Sequence, residues 1–250
     1  MKKFLSIAIL SALLLTACGE GEAPTAEPAP TETPPVAEET LPAVETGPQG
    51  VPCDLPLPAP ANWEVVLCET FEGDPGNWQV ETQDNPYAAY TSEIADGAFR
   101  VDYTAKGFAA FQQSALTWFD VAKERDFALS VTGTIDTAFD NASWGVAFRG
   151  NGEDFFLFTL TNTGEYLFEI FENNVWTPII TQRTASAIRM GEPNTLRIEA
   201  VGQDFYFTVN DVLVNDFRGA TLAGEDIQIV VSAKEGVSAV FTFDDVVVQR

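Results

Sequence analysis

Apolar and polar residues alternate in short runs through the last three-quarters of the chain. In Trp144–Arg149, Trp144, Val146 and Phe148 share one face, and Gly145, Ala147 and Arg149 share the other. In Phe155–Thr161, Phe156, Phe158 and Leu160 make the oily face. Leu196, Ile198 and Ala200 alternate with Arg197 and Glu199; Phe205, Phe207 and Val209 alternate with Tyr206 and Thr208. A period of two is the signature of a strand with one face on a core. The pattern predicts strands near 65–71, 88–94, 98–104, 108–117, 127–135, 144–149, 154–162, 165–171, 174–180, 195–201, 204–209, 212–217, 226–232 and 239–249. Asp96-Gly97, Thr163-Gly164, Asn173-Asn174, Gly202-Gln203 and Asn210-Asp211 fall between them as turns. No long amphipathic helix is visible; Val121–Arg125 and Thr184–Met190 each suit a turn or two. Many short strands without crossover helices predict an all-β sandwich or jelly roll of two antiparallel sheets.

The front of the chain follows other rules. Lys2 and Lys3 precede an apolar run, Phe4–Leu15, too short to span a bilayer comfortably. That order reads as a secretory signal over 1–17. Leu15-Thr16-Ala17-Cys18 resembles the lipobox of bacterial lipoproteins, which implies cleavage before Cys18 and lipidation of it. Acyl chains would then hold the protein to a membrane in the bacterial cell envelope, on the extracytoplasmic side. Residues 18–60 hold eleven of the fifteen prolines and no Lys or Arg. Proline removes backbone donors and the glutamates repel, so this stretch is expected to be a disordered tether. The domain proper is expected over 61–250.

Charge narrows the partners. The formal net charge is -24, and after Lys3 the first basic residue is Arg100. A nucleic-acid binder would carry a basic stripe, and none is present. With Cys18 lipidated, Cys53 and Cys68 remain, and outside the cytoplasm the pair is expected to form a disulfide.

Five segments carry a resemblance to a known family: ETFEGDPGNW (69–78), ADGAFRVDY (95–103), WGVAFRGNGEDFFLFTLTNTGEYLF (144–168), NTLRIEAVGQDFYFTVNDVLV (194–214) and FTFDDVVV (241–248). Their order resembles the concanavalin A-like, laminin G-like sandwich. It is most similar to bacterial secreted domains described as 3-keto-disaccharide hydrolase-like or family 16 glycoside hydrolase-like. The resemblance implies a curved jelly roll that holds carbohydrate on its concave face or loop rim.

The chemistry available is limited. There is no histidine, so no Ser-His-Asp or Cys-His machinery exists. Paired carboxylates are the remaining hydrolytic catalysts. The E-x-D-x-E strand of true family 16 hydrolases is absent; Glu165, Glu169 and Glu172 come nearest, and Glu169 and Glu172 differ in parity. A binding surface is easier to assemble. Arg149, Glu169, Arg197, Glu199 and Tyr206 are predicted on non-core faces and could share a polar floor for a glycan, with Trp176, Tyr166 and Tyr90 as stacking rings. Cross-strand ion pairs on a solvated face would give the same pattern. In the last strand, Asp244 and Asp245 lie between apolar residues of both parities. Either a bulge turns one outward, or calcium held by Asp244, Asp245, Glu69 and Glu72 offsets the buried charge; an Arg partner or solvated loop is the alternative. The favoured reading is a lipid-anchored, non-catalytic carbohydrate- or cell-wall-binding sandwich. A glycoside hydrolase and a structural or adhesive envelope protein are the alternatives.

Overall fold

A computed structural model describes residues 53–60, 62–72, 78, 80–107, 118–120 (backbone only), 126–137, 142–151, 153–224 and 226–250. The signal segment, Cys18, most of the tether, Asp74, the strand expected at 108–117 and the helical turn expected at 121–125 lie outside them. The segment around 184–190, the second expected helical turn, is a turn without helix.

Among the described residues, fifteen strands form two sheets. They are β1 (Val65–Glu69), β2 (Thr82–Asp84), β3 (Ala88–Ala95), β4 (Ala98–Ala105), β5 (Trp118–Asp120), β6 (Phe127–Asp136), β7 (Ala142–Gly150) and β8 (Phe155–Thr161). The remainder are β9 (Glu165–Glu172), β10 (Val175–Thr184), β11 (Asn194–Val201), β12 (Asp204–Val209), β13 (Val212–Arg218), β14 (Asp226–Ala233) and β15 (Ser238–Gln249). One nine-stranded sheet runs β13-β12-β11-β6-β15-β4-β3-β2, with β1 paired to β15. The other has six strands, β10-β9-β8-β7-β14-β5. The strand pairs among the described residues are antiparallel.

The inward parity residues meet between the sheets. Phe158 of one sheet stacks on Phe207 of the other with centroids 4.2 Å apart. Phe148 meets Phe205 edge-on at 4.9 Å. Trp144 meets Phe243 at 5.5 Å and lies over Gly133, where an added Cβ would come within 2.7 Å of the indole. Glycine there makes room for the largest core side chain. The predicted turns have the required backbone: Asp96-Gly97, Asn173-Asn174 and Asn210-Asp211 all have positive φ at both positions, the geometry of tight hairpins.

The entry of the chain is pinned. Cys53 and Cys68 form a disulfide with Cα atoms 5.6 Å apart. Segment 53–60 then runs from the disulfide on β1 to Gln249 near the end of β15. Gln249, fully buried, accepts a hydrogen bond from the Ala59 N–H and donates to the carbonyls of Pro60 and Trp63.

Candidate functional site

The outer face of the six-stranded sheet is built from rows that register across strands. One row is Phe155, Phe171 and Trp176. Its rings touch: Phe155 to Phe171 at 5.4 Å, Phe171 to Trp176 at 4.8 Å, and Phe155 to Trp176 at 5.7 Å. The next row is Gln228, Ala147, Leu157, Glu169 and Pro178. Ala147, Phe155, Leu157 and Val230 form a second apolar cluster, separate from the main core, with Phe171 packed against it. Gln228, Thr159 and Ser232 are buried polar members of the same face. The face therefore closes at its centre and opens at the β9–β10 end, where Trp176 is 36% exposed.

Glu169 sits at that open end, half-buried, one row from Phe171. Burial pushes its carboxyl above the usual carboxylate range. A partly exposed indole beside a carboxylate with depleted solvation can stack on a sugar ring and accept its hydroxyls.

The sequence-predicted floor does not assemble in one place. Arg197, Glu199 and Tyr206 lie on the outer face of the nine-stranded sheet, across the core from Glu169 and Trp176. Arg197 is committed to Asp211 at 2.8 Å, and Glu199 sits opposite Tyr206. Arg149 is on neither outer face. The pairing of β7 with β14 slips between Ala147 and Gly150, and Arg149 has φ of 55°. This bulge reverses the expected parity. The side chain is 4% exposed, donates to the Gly202 carbonyl at 3.1 Å, and its guanidinium lies 5.6 Å from the Phe127 ring and 5.9 Å from the Phe205 ring. It closes one end of the core instead of facing solvent opposite Trp144, Val146 and Phe148. Tyr166 is likewise internal: it stacks on Phe158, and its hydroxyl donates to the Val214 carbonyl. Tyr90 stacks on Tyr103 and hydrogen-bonds Glu81.

The last strand resolves its acidic pair by a bulge. Phe243 pairs with Gly133 but Val246 pairs with Val131, so β15 carries an extra residue at Asp244–Asp245. There β15 ends its pairing with β4 and takes up β1. Phe243, Val246 and Val248 stay in the core while Asp244 is exposed and Asp245 half-buried. Burial first, and then Asp244, raise the Asp245 carboxyl. Glu69 accepts the Phe71 N–H at 2.7 Å, and Glu72 is exposed. Among the described residues no three His, Cys, Asp or Glu side chains form a group able to hold a metal ion.

Sequence reasoning missed Phe155 and Phe171 as site residues. Both belong to the non-core parity of their strands, and that parity was the available signal.

No protein-family model matches this chain, and no curated protein matches it by sequence. Solved structures do match. SCLam, a non-specific endo-β-1,3(4)-glucanase from family GH16, aligns over 82% of this chain and 96% of its own, with a TM-score of 0.54 and 13% identity. The two-sheet order and this alignment decide the architecture. The fold is a concanavalin A-like jelly roll. A laminarinase from Flavobacterium sp. UMI-01 matches the same jelly roll over 75% of this chain and 100% of its own, at a TM-score of 0.51 and 13% identity. The catalytic domain of an endo-1,3-β-glucanase from Thermotoga petrophila RKU-1 covers 75% of this jelly-roll chain and 98% of its own, at 0.50 and 9% identity. At these identities the likeness concerns fold.

Proposed function

We propose that the protein is an envelope lipoprotein, acylated at Cys18, whose jelly roll binds glycan or cell-wall polysaccharide without cleaving it. The observation that carries this reading is the Phe155–Phe171–Trp176 row with Glu169 beside it. It combines aromatic area, an exposed indole edge and a carboxylate on one sheet face. That two structurally similar proteins, SCLam and the Thermotoga petrophila enzyme, are glucanases supports carbohydrate as the ligand class.

The non-catalytic part rests on the acids present. Glu165 and Glu169 share parity on β9 at the spacing of the outer acids of E-x-D-x-E, but Leu167 stands where the middle acid of that strand would be. Glu165 is also held by Thr163 and Gln182.

The test is an oligosaccharide array probed with the full chain. Wild type should retain glycan, and Trp176→Ala should lower retention at least tenfold while leaving the melting temperature nearly unchanged. Equal retention by both proteins would remove the aromatic row from the account. Intact-mass analysis of the chain purified from membranes should give an acylated N-terminus at Cys18; an unmodified N-terminus elsewhere would defeat the anchoring claim.

A further inference from the structure

The outer face of the nine-stranded sheet is divided. In one half Ala128, Val247 and Gln249 are buried although they point away from the core, and Gln249 there is hydrogen-bonded by Ala59 and to Pro60. The other half is open and forms a cleft of about 380 Å³. That volume falls in the range of small-ligand sites, about 300–1,000 Å³.

A single register row crosses it: Thr82, Thr91, Asp102, Val240 and Asp136, from β2, β3, β4, β15 and β6. Five adjacent strands at about 4.8 Å give a row roughly 19 Å long, perpendicular to the chain direction. Beside it Thr104 and Ser238 pair their hydroxyls at 2.9 Å, and Thr82 and Thr91 do so at 3.2 Å. Hydroxyls both donate and accept, and the carboxylates only accept. The cations at the margins are already engaged. Arg100 binds Asp102 at 2.9 Å, lies near Glu93 and feels Asp136; Lys106 binds Asp84. The cleft therefore presents excess negative charge and many hydroxyls, beside apolar surface from Ala89, Ala239 and Val240. An anion is repelled there. A neutral molecule carrying many hydroxyls finds both partner types along the row.

We propose that this cleft is a second carbohydrate site, on the opposite face from the aromatic row, which takes a neutral oligosaccharide laid across the strands. Two sites on opposite faces would let one domain bridge two glycan chains, with the avidity that linked sites give.

The experiment uses the full chain on an array of neutral gluco- and xylo-oligosaccharides, with uronic-acid oligosaccharides as the anionic comparison. Six proteins are compared: wild type, Trp176→Ala, the double variant Asp102→Ala/Asp136→Ala, Thr91→Trp, which fills the cleft without removing charge, and Trp176→Ala combined with each of these two cleft changes. Circular dichroism verifies folding of each. The cleft site predicts that Trp176→Ala keeps part of the neutral-glycan binding, and that adding either cleft change to it lowers the remainder at least tenfold. Binding abolished by Trp176→Ala and unchanged by both cleft variants would overturn the cleft and leave the aromatic row. Binding abolished by the cleft variants and unchanged by Trp176→Ala would do the reverse. Preference for the uronic-acid set, or no binding by wild type, would overturn the cleft proposal.

Discussion

Two residues show how burial, not identity, assigns a role. Glu169 has its carboxyl raised by desolvation in the folded state. A raised acid binds its proton more tightly when folded than when unfolded. Stability from the protonated form is thus present at low pH and lost as pH rises through the ordinary carboxylate range into the raised one. Glu169→Gln removes that loss. The variant should melt higher than wild type at neutral pH, and the gap should close near about pH 4. Thermal melts across pH check this; a constant gap would show that desolvation of Glu169 is not its cause. Arg149 behaves in the opposite way. Removing its side chain deletes the bond to the Gly202 carbonyl and the stacking on Phe127 and Phe205. Arg149→Ala should cost about 2 kcal/mol, or roughly 4–8 °C in Tm for a domain of this size. An unchanged Tm would mean that the core end closes without it.

At the scale of elements, the strands that alternate cleanly were legible: β3, β4, β6, β8, β9, β11 and β12 match the period-two reading within a residue or two. β2 was not, because Thr82-Gln83-Asp84 is polar on both faces and carries no alternation. Its pairing comes from β3, not from its own pattern. Parity also fails at bulges. The positive φ at Arg149 and the extra residue at Asp244–Asp245 shift side chains between faces, and only the partner strand's register reveals that. The candidate site suffered the same way: parity distinguishes inside from outside but not which sheet's outside, so Arg197 and Glu169 looked like neighbours. The disulfide was legible because, with Cys18 expected to carry lipid, Cys53 and Cys68 are the remaining pair. It closes a loop of separation 15 and should contribute about 3 kcal/mol in the loop-entropy model. Replacing both cysteines with serine should lower Tm by roughly 6–12 °C under non-reducing conditions. A drop no larger than that of a surface substitution would mean that the Gln249 hydrogen bonds suffice to hold the strap.

At the scale of the whole molecule, a strongly acidic chain carries a jelly roll with one aromatic outer face. Among the described residues no three carboxylates at the β1–β15 edge form a metal-holding group, and Asp74 lies outside them. A calcium site at that edge predicts that chelator lowers Tm and that Asp245→Ala abolishes the effect; a Tm unmoved by chelator would dispose of it. The most direct measurement of the central claim is a crystal structure of the protein soaked with an oligosaccharide that the array selects. The account predicts an intact sugar against Trp176 and Phe171 on the outer face of β9 and β10, with a hydroxyl within hydrogen-bond reach of Glu169. A cleaved sugar, or an unoccupied aromatic row in a crystal that binds the sugar elsewhere, would contradict it.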